Sequence, residues 1–283
     1  MRWRGRRQSR NIEDRRSLRG GGMKIGGIGA LLVIVIGLFL GVDVSPLLDD
    51  LGTSGPSPRS GTDALSAEEK AAGEFVAVTL ADTEDIWSDI FRRQVGKPYR
   101  PATLVLFSGA TRSPCGGANM ATGPFYCPLD RKVYLDTAFF STLARRMGAK
   151  GDFAAAYVVA HEIGHHVQDE LGILSKATAI RKRLPEAESN AVSVRVELQA
   201  DCYAGIWARH AQEKFASLEA GDVEEAMNAA RRIGDDTLQR NAGRRPMPDT
   251  FTHGTSAQRM RWFARGFESG DLAECDTFGA RQL

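Results

Sequence analysis

One short motif in this chain of 283 residues combines two imidazoles and a carboxylate at helical spacing: His161-Glu-Ile-Gly-His165. Side chains at positions i and i+4 of an α-helix lie on one face, so both imidazoles can reach a single metal ion. Imidazoles at this spacing are typical zinc ligands, and Glu162 beside them can accept a proton from a water molecule that the ion polarises. The motif therefore predicts a hydrolytic zinc site with His161 and His165 as ligands and Glu162 as the general base.

A catalytic zinc site needs a third protein ligand and leaves a fourth position open. In one common pattern a Gly and a His follow the second His at three and six residues, but this chain has Gln168 and Leu171 there. The alternative is a Glu on a later helix, and Glu197 with Asp201 fits because residues at i and i+4 share a helix face. We expect Glu197 to be the third ligand and Asp201 to orient a ligand imidazole.

Of four other side chains near these motifs, two have both a chemical and a structural interpretation. His253 lies in a loop after the third ligand, where it could donate a hydrogen bond to the oxyanion of a tetrahedral intermediate or hold a tight turn. Tyr157, one turn before His161, could do the same, with core packing favoured. His166 points about 100° away from the motif face, which favours packing, and His210 is given no role.

The elements that carry these residues are predicted from hydrophobic periodicity and turn residues. The motif falls in a buried helix over 152–170, and Glu197 falls in a long helix over 189–215. Other helices are expected from a capping box at Ser66 to about Gly96, and over 137–147, 174–184, 222–233 and 256–267. Short strands are expected over 103–107 and 132–135, with loops over 108–130 and 241–254. The fold class is α+β, mostly α, with a small sheet before the active-site helix.

The start of the chain differs in composition from the rest. Residues 1–24 carry eight Arg and one Lys against two acidic residues, and residues 25–42 have no charged side chain. An apolar run of this length is close to what spans a bilayer, and basic residues before it stay in the cytoplasm. We expect 1–24 to be a basic cytoplasmic tail, 25–42 a transmembrane helix, 43–65 a flexible linker and 66–283 a catalytic domain outside the cytoplasmic membrane.

Two alternatives exist for this N-terminal region. The apolar run could belong to a cleaved signal peptide, but no small-residue cleavage site follows it and the basic part is long for such a peptide. The arginines could contact anionic lipid or nucleic acid. A topology signal is the simpler interpretation, and no nucleic-acid partner is expected.

The chain has four cysteines, and an even number in an exported domain permits two disulfides. Cys115 and Cys127 are close in sequence within a Gly- and Pro-rich loop, which favours a bridge between them. Cys202 and Cys275 are then the remaining pair, with free buried thiols as the alternative. Because Cys-x2-Cys spacing is absent, a ribbon-type structural zinc site is not expected.

Seven segments of the chain carry a resemblance to a known family. They are Cys115-Gly, Gly123-Pro-Phe-Tyr-Cys-Pro128, Val133-Tyr-Leu-Asp136, His161-Glu-Ile-Gly-His-His-Val-Gln168, Glu197-Leu-Gln-Ala-Asp-Cys202, Phe251-Thr-His-Gly254 and Cys275-Asp-Thr-Phe278. With these the chain resembles the bacterial neutral zinc metallopeptidases, membrane-anchored proteins of the gluzincin type. The resemblance implies a zincin-like peptidase fold over 66–283, and by analogy the strand at 133–135 could be the sheet edge that binds a peptide substrate.

Together these observations predict a membrane-anchored metallopeptidase that holds one Zn²⁺ and hydrolyses peptides or proteins outside the cytoplasm. Two other classes of function remain open. The protein could be a zinc-binding but catalytically idle scaffold of a membrane complex, or a zinc hydrolase that acts on a non-peptide amide such as a cell-wall link. The sequence leaves the natural substrate, the cleavage specificity and the oligomeric state open.

Overall fold

The computed structural model describes residues 1–17, 65–119, 122–145 and 147–283. Within them the chain is mostly helical with a small sheet, which confirms the expected α+β class. The helices are α1 (Ala67–Ile90), α2 (Ala138–Arg145), α3 (Asp152–Glu170), α4 (Ile173–Arg181), α5 (Glu186–Phe215), α6 (Asp222–Arg232), α7 (Asp235–Asn241) and α8 (Ser256–Ser269). A π-helical turn, Phe91–Val95, extends α1, and 3-10 turns lie at Pro248–Thr250 and Leu272–Cys275.

Six short strands form two sheets in the part of the chain that the structure describes. They are β1 (Ile12–Asp14), β2 (Thr103–Phe107), β3 (Ala110–Ser113), β4 (Gly116–Asn119), β5 (Phe125–Cys127) and β6 (Lys132–Asp136). The larger sheet has the order β1-β2-β6-β5, in which β5 alone is antiparallel to its neighbour. The expectation that 133–135 is the sheet edge is wrong, because β5 pairs with β6 and is itself the edge.

Two expectations about loops also differ from the structure. The segment 108–130 was expected to be irregular, yet it contains the β3–β4 hairpin and β5. These strands have three or four residues each, and strand pairing, not the propensity of their Gly-rich sequence, holds them in place. Helix α7 was not expected, since its seven residues are too few to show a clear helical period.

Residues 1–17 pack against the body of the protein. Strand β1 pairs in parallel with β2, and the backbone N–H of Leu104 donates to the carbonyl of Asn11 over 2.8 Å. Arg6 forms an ion pair with Asp82 of α1 at 2.7 Å. The sequence predicted that these residues form a tail separate from the domain. The structure instead docks them on the body, because carboxylates of α1 attract arginines that were interpreted as a topology signal.

The predicted transmembrane helix over 25–42 and all but the last residue of the predicted linker over 43–65 lie outside the described residues. Among the helices that are described, none combines the length and the apolar composition needed to cross a bilayer. The membrane anchor therefore stays a prediction.

The core lies where α3, α5 and α8 pack together, and glycines set the distances between these helices. A Cβ on Gly164 of α3 would lie 3.0 Å from the carbonyl oxygen of Ala200 on α5. A Cβ on Gly205 of α5 would overlap the backbone of α8, and one on Gly266 of α8 would overlap the backbone of Cys202. The three backbones therefore approach more closely than side chains larger than hydrogen would allow.

Both expected disulfides are present. Cys115 is bonded to Cys127, which links the β3–β4 hairpin to β5. Cys202 of α5 is bonded to Cys275, which holds the last 3-10 turn against the helix that carries Glu197. The bridges therefore fix β5 and the last 3-10 turn in place.

Candidate metal centre

Helices α3 and α5 bring the three predicted zinc ligands together. Nε2 of His161 lies 3.2 Å from Oε2 of Glu197, and Nε2 of His165 lies 3.5 Å from Oε1 of the same residue. Ligand atoms at 2.0–2.1 Å from a tetrahedral zinc ion are separated by about 3.3 Å. The donor types and their spacing therefore fit a zinc ion.

Each imidazole also has an acceptor at its other nitrogen. Nδ1 of His161 lies 2.9 Å from Oδ1 of Asp201, and Nδ1 of His165 lies 2.9 Å from Oε1 of Gln168. The Gln168 amide nitrogen donates to the backbone oxygen of Val196 over 2.7 Å, so its oxygen must face the ring. With Nδ1–H donated in both rings, each Nε2 lone pair faces Glu197 and is available to a metal ion.

The electrostatics of this cluster favour a cation between its members. Burial alone would raise the pKa of Glu197, but His165, His253 and His161 together hold it well below its usual value. Burial alone would lower the pKa of His161, but Asp201 and Glu197 raise it to about 10. A bound metal ion would take the place of these protons as the positive charge beside the carboxylates.

Glu162 shares a cleft with these donors. The cleft has a volume of about 490 Å³ and is lined by Glu162, the three candidate ligands and His253. Glu162 is 7% exposed, so its carboxylate lies within the cleft and away from bulk solvent. It is therefore placed to exchange a proton with a molecule bound there.

The loop between α7 and α8 carries His253 to the cleft. Oδ2 of Asp235 accepts backbone N–H groups of Thr252, His253 and Gly254 over 2.6–2.9 Å, and its Oδ1 lies 3.3 Å from Nδ1 of His253. One carboxylate thus fixes both the loop and the ring. His253 belongs to a bend in the chain and its side chain also lines the cleft, so both interpretations stay open. Asp235 was not anticipated, because only the short α7 marks its position.

The remaining aromatic and histidine side chains have structural contacts. The hydroxyl of Tyr157 donates to Oδ1 of Asp201 over 2.5 Å. His166 is buried against Tyr99 and Tyr126, and His210 lies near the carbonyl of Gly270. Tyr157 is therefore committed to the hydrogen-bond network behind His161, and His166 packs in the core.

Arg259 of α8 is a second residue of this site that sequence reasoning missed. Its buried guanidinium lies at the wall of the cleft beside His161, with Nε 2.8 Å from Oδ2 of Asp201. No motif or local spacing in the sequence connects it to the other site residues, because it is 58 positions after Asp201.

The cleft runs past the β5 edge of the larger sheet, which has no further strand partner among the residues that the structure describes. Its wall includes Phe125 and Tyr126 of β5, Phe139 of α2, and Leu174 of α4. Apolar walls beside an unpaired strand edge are suited to an extended peptide with apolar side chains. The geometry thus moves the expected substrate edge from β6 to β5.

The three donors and the helices that carry them are arranged as expected for a zinc peptidase. The chain belongs to the family described as "Putative neutral zinc metallopeptidase", whose model matches residues 1–278. The match includes the N-terminal segment as well as the body that carries the site.

Relatives in two bacterial species share most of the chain. "Uncharacterized protein YpfJ" of Escherichia coli K12 is 47% identical over 290 residues, covering 99% of each chain. "Uncharacterized protein Rv2575" of Mycobacterium tuberculosis H37Rv is 42% identical over 223 residues, covering 75% of this chain and 74% of the relative. No solved structure matches the chain.

Proposed function

We propose that the protein is a zinc-dependent peptidase with His161, His165 and Glu197 as ligands of one Zn²⁺ and Glu162 as the general base. The observation that carries the proposal is the placement of both Nε2 atoms at 3.2 and 3.5 Å from the two Glu197 oxygens. When bound there, the ion would supply Lewis acidity toward a carbonyl and acidify a water molecule.

The protein's own groups would then move the protons and orient the substrate. Glu162 accepts the proton of the attacking water and passes it to the leaving amine. His253, whose ring Asp235 orients, donates to the oxygen that gains negative charge. Both side chains line one cleft, so one bound peptide can contact them together.

The substrate in this proposal is an extended peptide or protein segment. Strand β5 pairs with β6 on one side, and its other side has no strand partner among the described residues. A peptide can add to such an edge through backbone hydrogen bonds while its side chains contact the apolar wall of the cleft.

The location is part of the proposal. We place the catalytic body, with residues 1–17 docked against it, outside the cytoplasm and attached to the membrane by residues 25–42. The two disulfides support this placement because such bonds persist in oxidising compartments.

The test compares wild type with Glu162→Gln and His253→Gln. All three should hold about one zinc per chain, because neither residue is a proposed ligand. Glu162→Gln should lower kcat on a peptide library by at least about 100-fold, as expected when a general base is lost. His253→Gln should lower kcat by about 100-fold as well. His210→Gln, which changes a histidine outside the cleft, is the matched control and should keep full activity.

Each alternative function has its own outcome. Loss of zinc in Glu162→Gln would contradict the assigned roles. Wild type that retains zinc but cleaves nothing in a broad library would favour an idle scaffold. Cleavage of muropeptides without cleavage of ordinary peptides would favour a hydrolase of non-peptide amides.

A further inference from the structure

The guanidinium of Arg259 is buried and pairs with the buried carboxylate of Asp201. It is 2% exposed, and Asp201 is 0% exposed. Nε of Arg259 donates to Oδ2 of Asp201 over 2.8 Å, and Nη2 donates to Oδ1 over 2.9 Å. A two-point contact of this kind fixes the plane of a carboxylate as well as its position.

The contact determines the direction of every hydrogen bond around Asp201. A guanidinium only donates and a carboxylate only accepts, so Nη2 donates to Oδ1 of Asp201 and, over 3.2 Å, to the oxygen of Tyr157. The Tyr157 hydroxyl must then donate to Oδ1, and so must Nδ1 of His161 at 2.9 Å. When the ring is neutral, as it must be to bind a metal ion, His161 is thereby held with its proton on Nδ1 and its lone pair on Nε2.

Arg259 could compete for the same nitrogen if Asp201 turned away. Its Nη2 lies 3.4 Å from Nδ1 of His161, within reach of a weak hydrogen bond. A ring that accepted there would carry its proton on Nε2, where no metal ion could bind. The grip on both Asp201 oxygens prevents this, because the carboxylate stays in the plane in which it accepts from Nδ1.

The two ligand histidines are supported in different ways. Gln168 is three residues after His165 on the same helix, so that support is local. Asp201 reaches His161 from α5 and is in turn held by Arg259 from α8. Arg259 reaches Asp201 because α5 and α8 pack closely together, which Gly205 and Gly266 allow.

We propose that Arg259 is a positioning residue that acts through Asp201 to hold His161 in the tautomer that presents Nε2 to a metal ion. The inference rests on the proposed metal site. It assigns Arg259 no contact with substrate.

The test uses the full chain with Arg259→Met, Arg259→Lys and, as a matched control, Arg261→Met on the exposed side of α8. Long-range ¹H–¹⁵N spectra of the zinc-free proteins, recorded at a pH above the raised pKa of His161 so that its ring is neutral, report the His161 tautomer. Chelator competition reports the zinc dissociation constant. Arg259→Met should show mixed tautomers and bind zinc about 10- to 100-fold more weakly, as for other residues that support a ligand. Arg259→Lys should be intermediate, and Arg261→Met should match wild type.

A purely structural role gives a different result. If Arg259→Met unfolds more easily but keeps the wild-type tautomer and zinc affinity within twofold, the proposal is wrong. If Arg259→Met does not fold, Arg259→Lys decides, since unchanged tautomer and affinity in that variant would also overturn it. The tautomer comparison needs neither zinc nor peptide cleavage, so its outcome is separate from that of the proposed peptidase function.

Discussion

At the scale of single residues, acceptors for ring N–H groups set the chemistry of each histidine. His161 and His165 donate from Nδ1 to Asp201 and Gln168, which leaves Nε2 of both rings facing Glu197. His166, next in the chain, has both nitrogens engaged in the core and so has no free position for a ligand. Neighbouring histidines thus have different roles because their hydrogen-bond partners differ.

His166 should make the stability of the fold depend on pH. Burial lowers the pKa of His166 to about 4, below an unfolded value of about 6.5. A lowered pKa means that the unfolded chain takes up the proton more readily, so this contribution is present above pH about 6.5 and is lost as pH falls toward 4. It amounts to about 3 kcal/mol. In urea unfolding of zinc-free protein, His166→Gln should lose less free energy of unfolding than wild type between pH 7 and pH 4.

The comparison with wild type isolates this histidine from the ligand histidines. Both proteins contain His161 and His165, and a chelator removes zinc from both. Parallel curves of unfolding free energy against pH for the two proteins would show that His166 does not titrate as expected.

At the scale of elements, helix packing brings the site together. Helix α3 supplies both imidazoles, α5 supplies two carboxylates, and α8 supplies Arg259. Gly164 allows α3 to approach α5, and Gly266 allows α8 to approach α5. The distances between donor atoms therefore depend on the glycines at the helix contacts as well as on the donor residues.

Gly266→Ala should disturb this packing. The added methyl would overlap the backbone carbonyl of Cys202, which cannot move aside as a flexible side chain would. We expect a loss of about 3 kcal/mol in the free energy of unfolding, together with weaker zinc binding because α8 carries Arg259. Gly117→Ala is the control, since a Cβ there would meet no atom within 4 Å. Equal small effects of both changes in urea unfolding would contradict the role assigned to Gly266.

At the scale of the whole molecule, residues 1–17 belong to the same folded unit as the body. Strand β1 extends the larger sheet, and Arg7 contacts both Glu84 and Asp85 of α1. A single membrane crossing by residues 25–42, as charge and hydropathy predict, would put residues 1–17 and the body on opposite sides. One molecule cannot have both arrangements at once.

Cysteine labelling distinguishes the two arrangements. Gln8→Cys and Met247→Cys, made separately, place exposed thiols on the N-terminal segment and on the body, and all native cysteines are in disulfides. A membrane-impermeant maleimide on intact cells should label both or neither, because the sheet joins the two parts. Labelling of the body alone would instead support the crossing predicted from sequence and would show that β1 is not docked in the membrane-bound protein.

Much of the site could be predicted from the sequence because its signals are local. Helix α3 has the expected bounds, Asp152–Glu170, and the spacing of its histidines placed both imidazoles on one face. Glu197 and Asp201 followed from the same spacing on α5. The disulfides Cys115–Cys127 and Cys202–Cys275 followed from the number and order of the cysteines.

The sequence by itself determined the helix faces that carry the candidate ligands, because helical periodicity relates residues three or four apart. Only the tertiary structure decided which distant residues support them. Arg259 meets Asp201 and Asp235 meets His253 across helix packing that no short spacing encodes. Strands of three residues, such as β1 and β5, are too short to show a period and exist through pairing with their neighbours. The edge open to substrate and the docked N-terminal segment are therefore properties of the folded molecule.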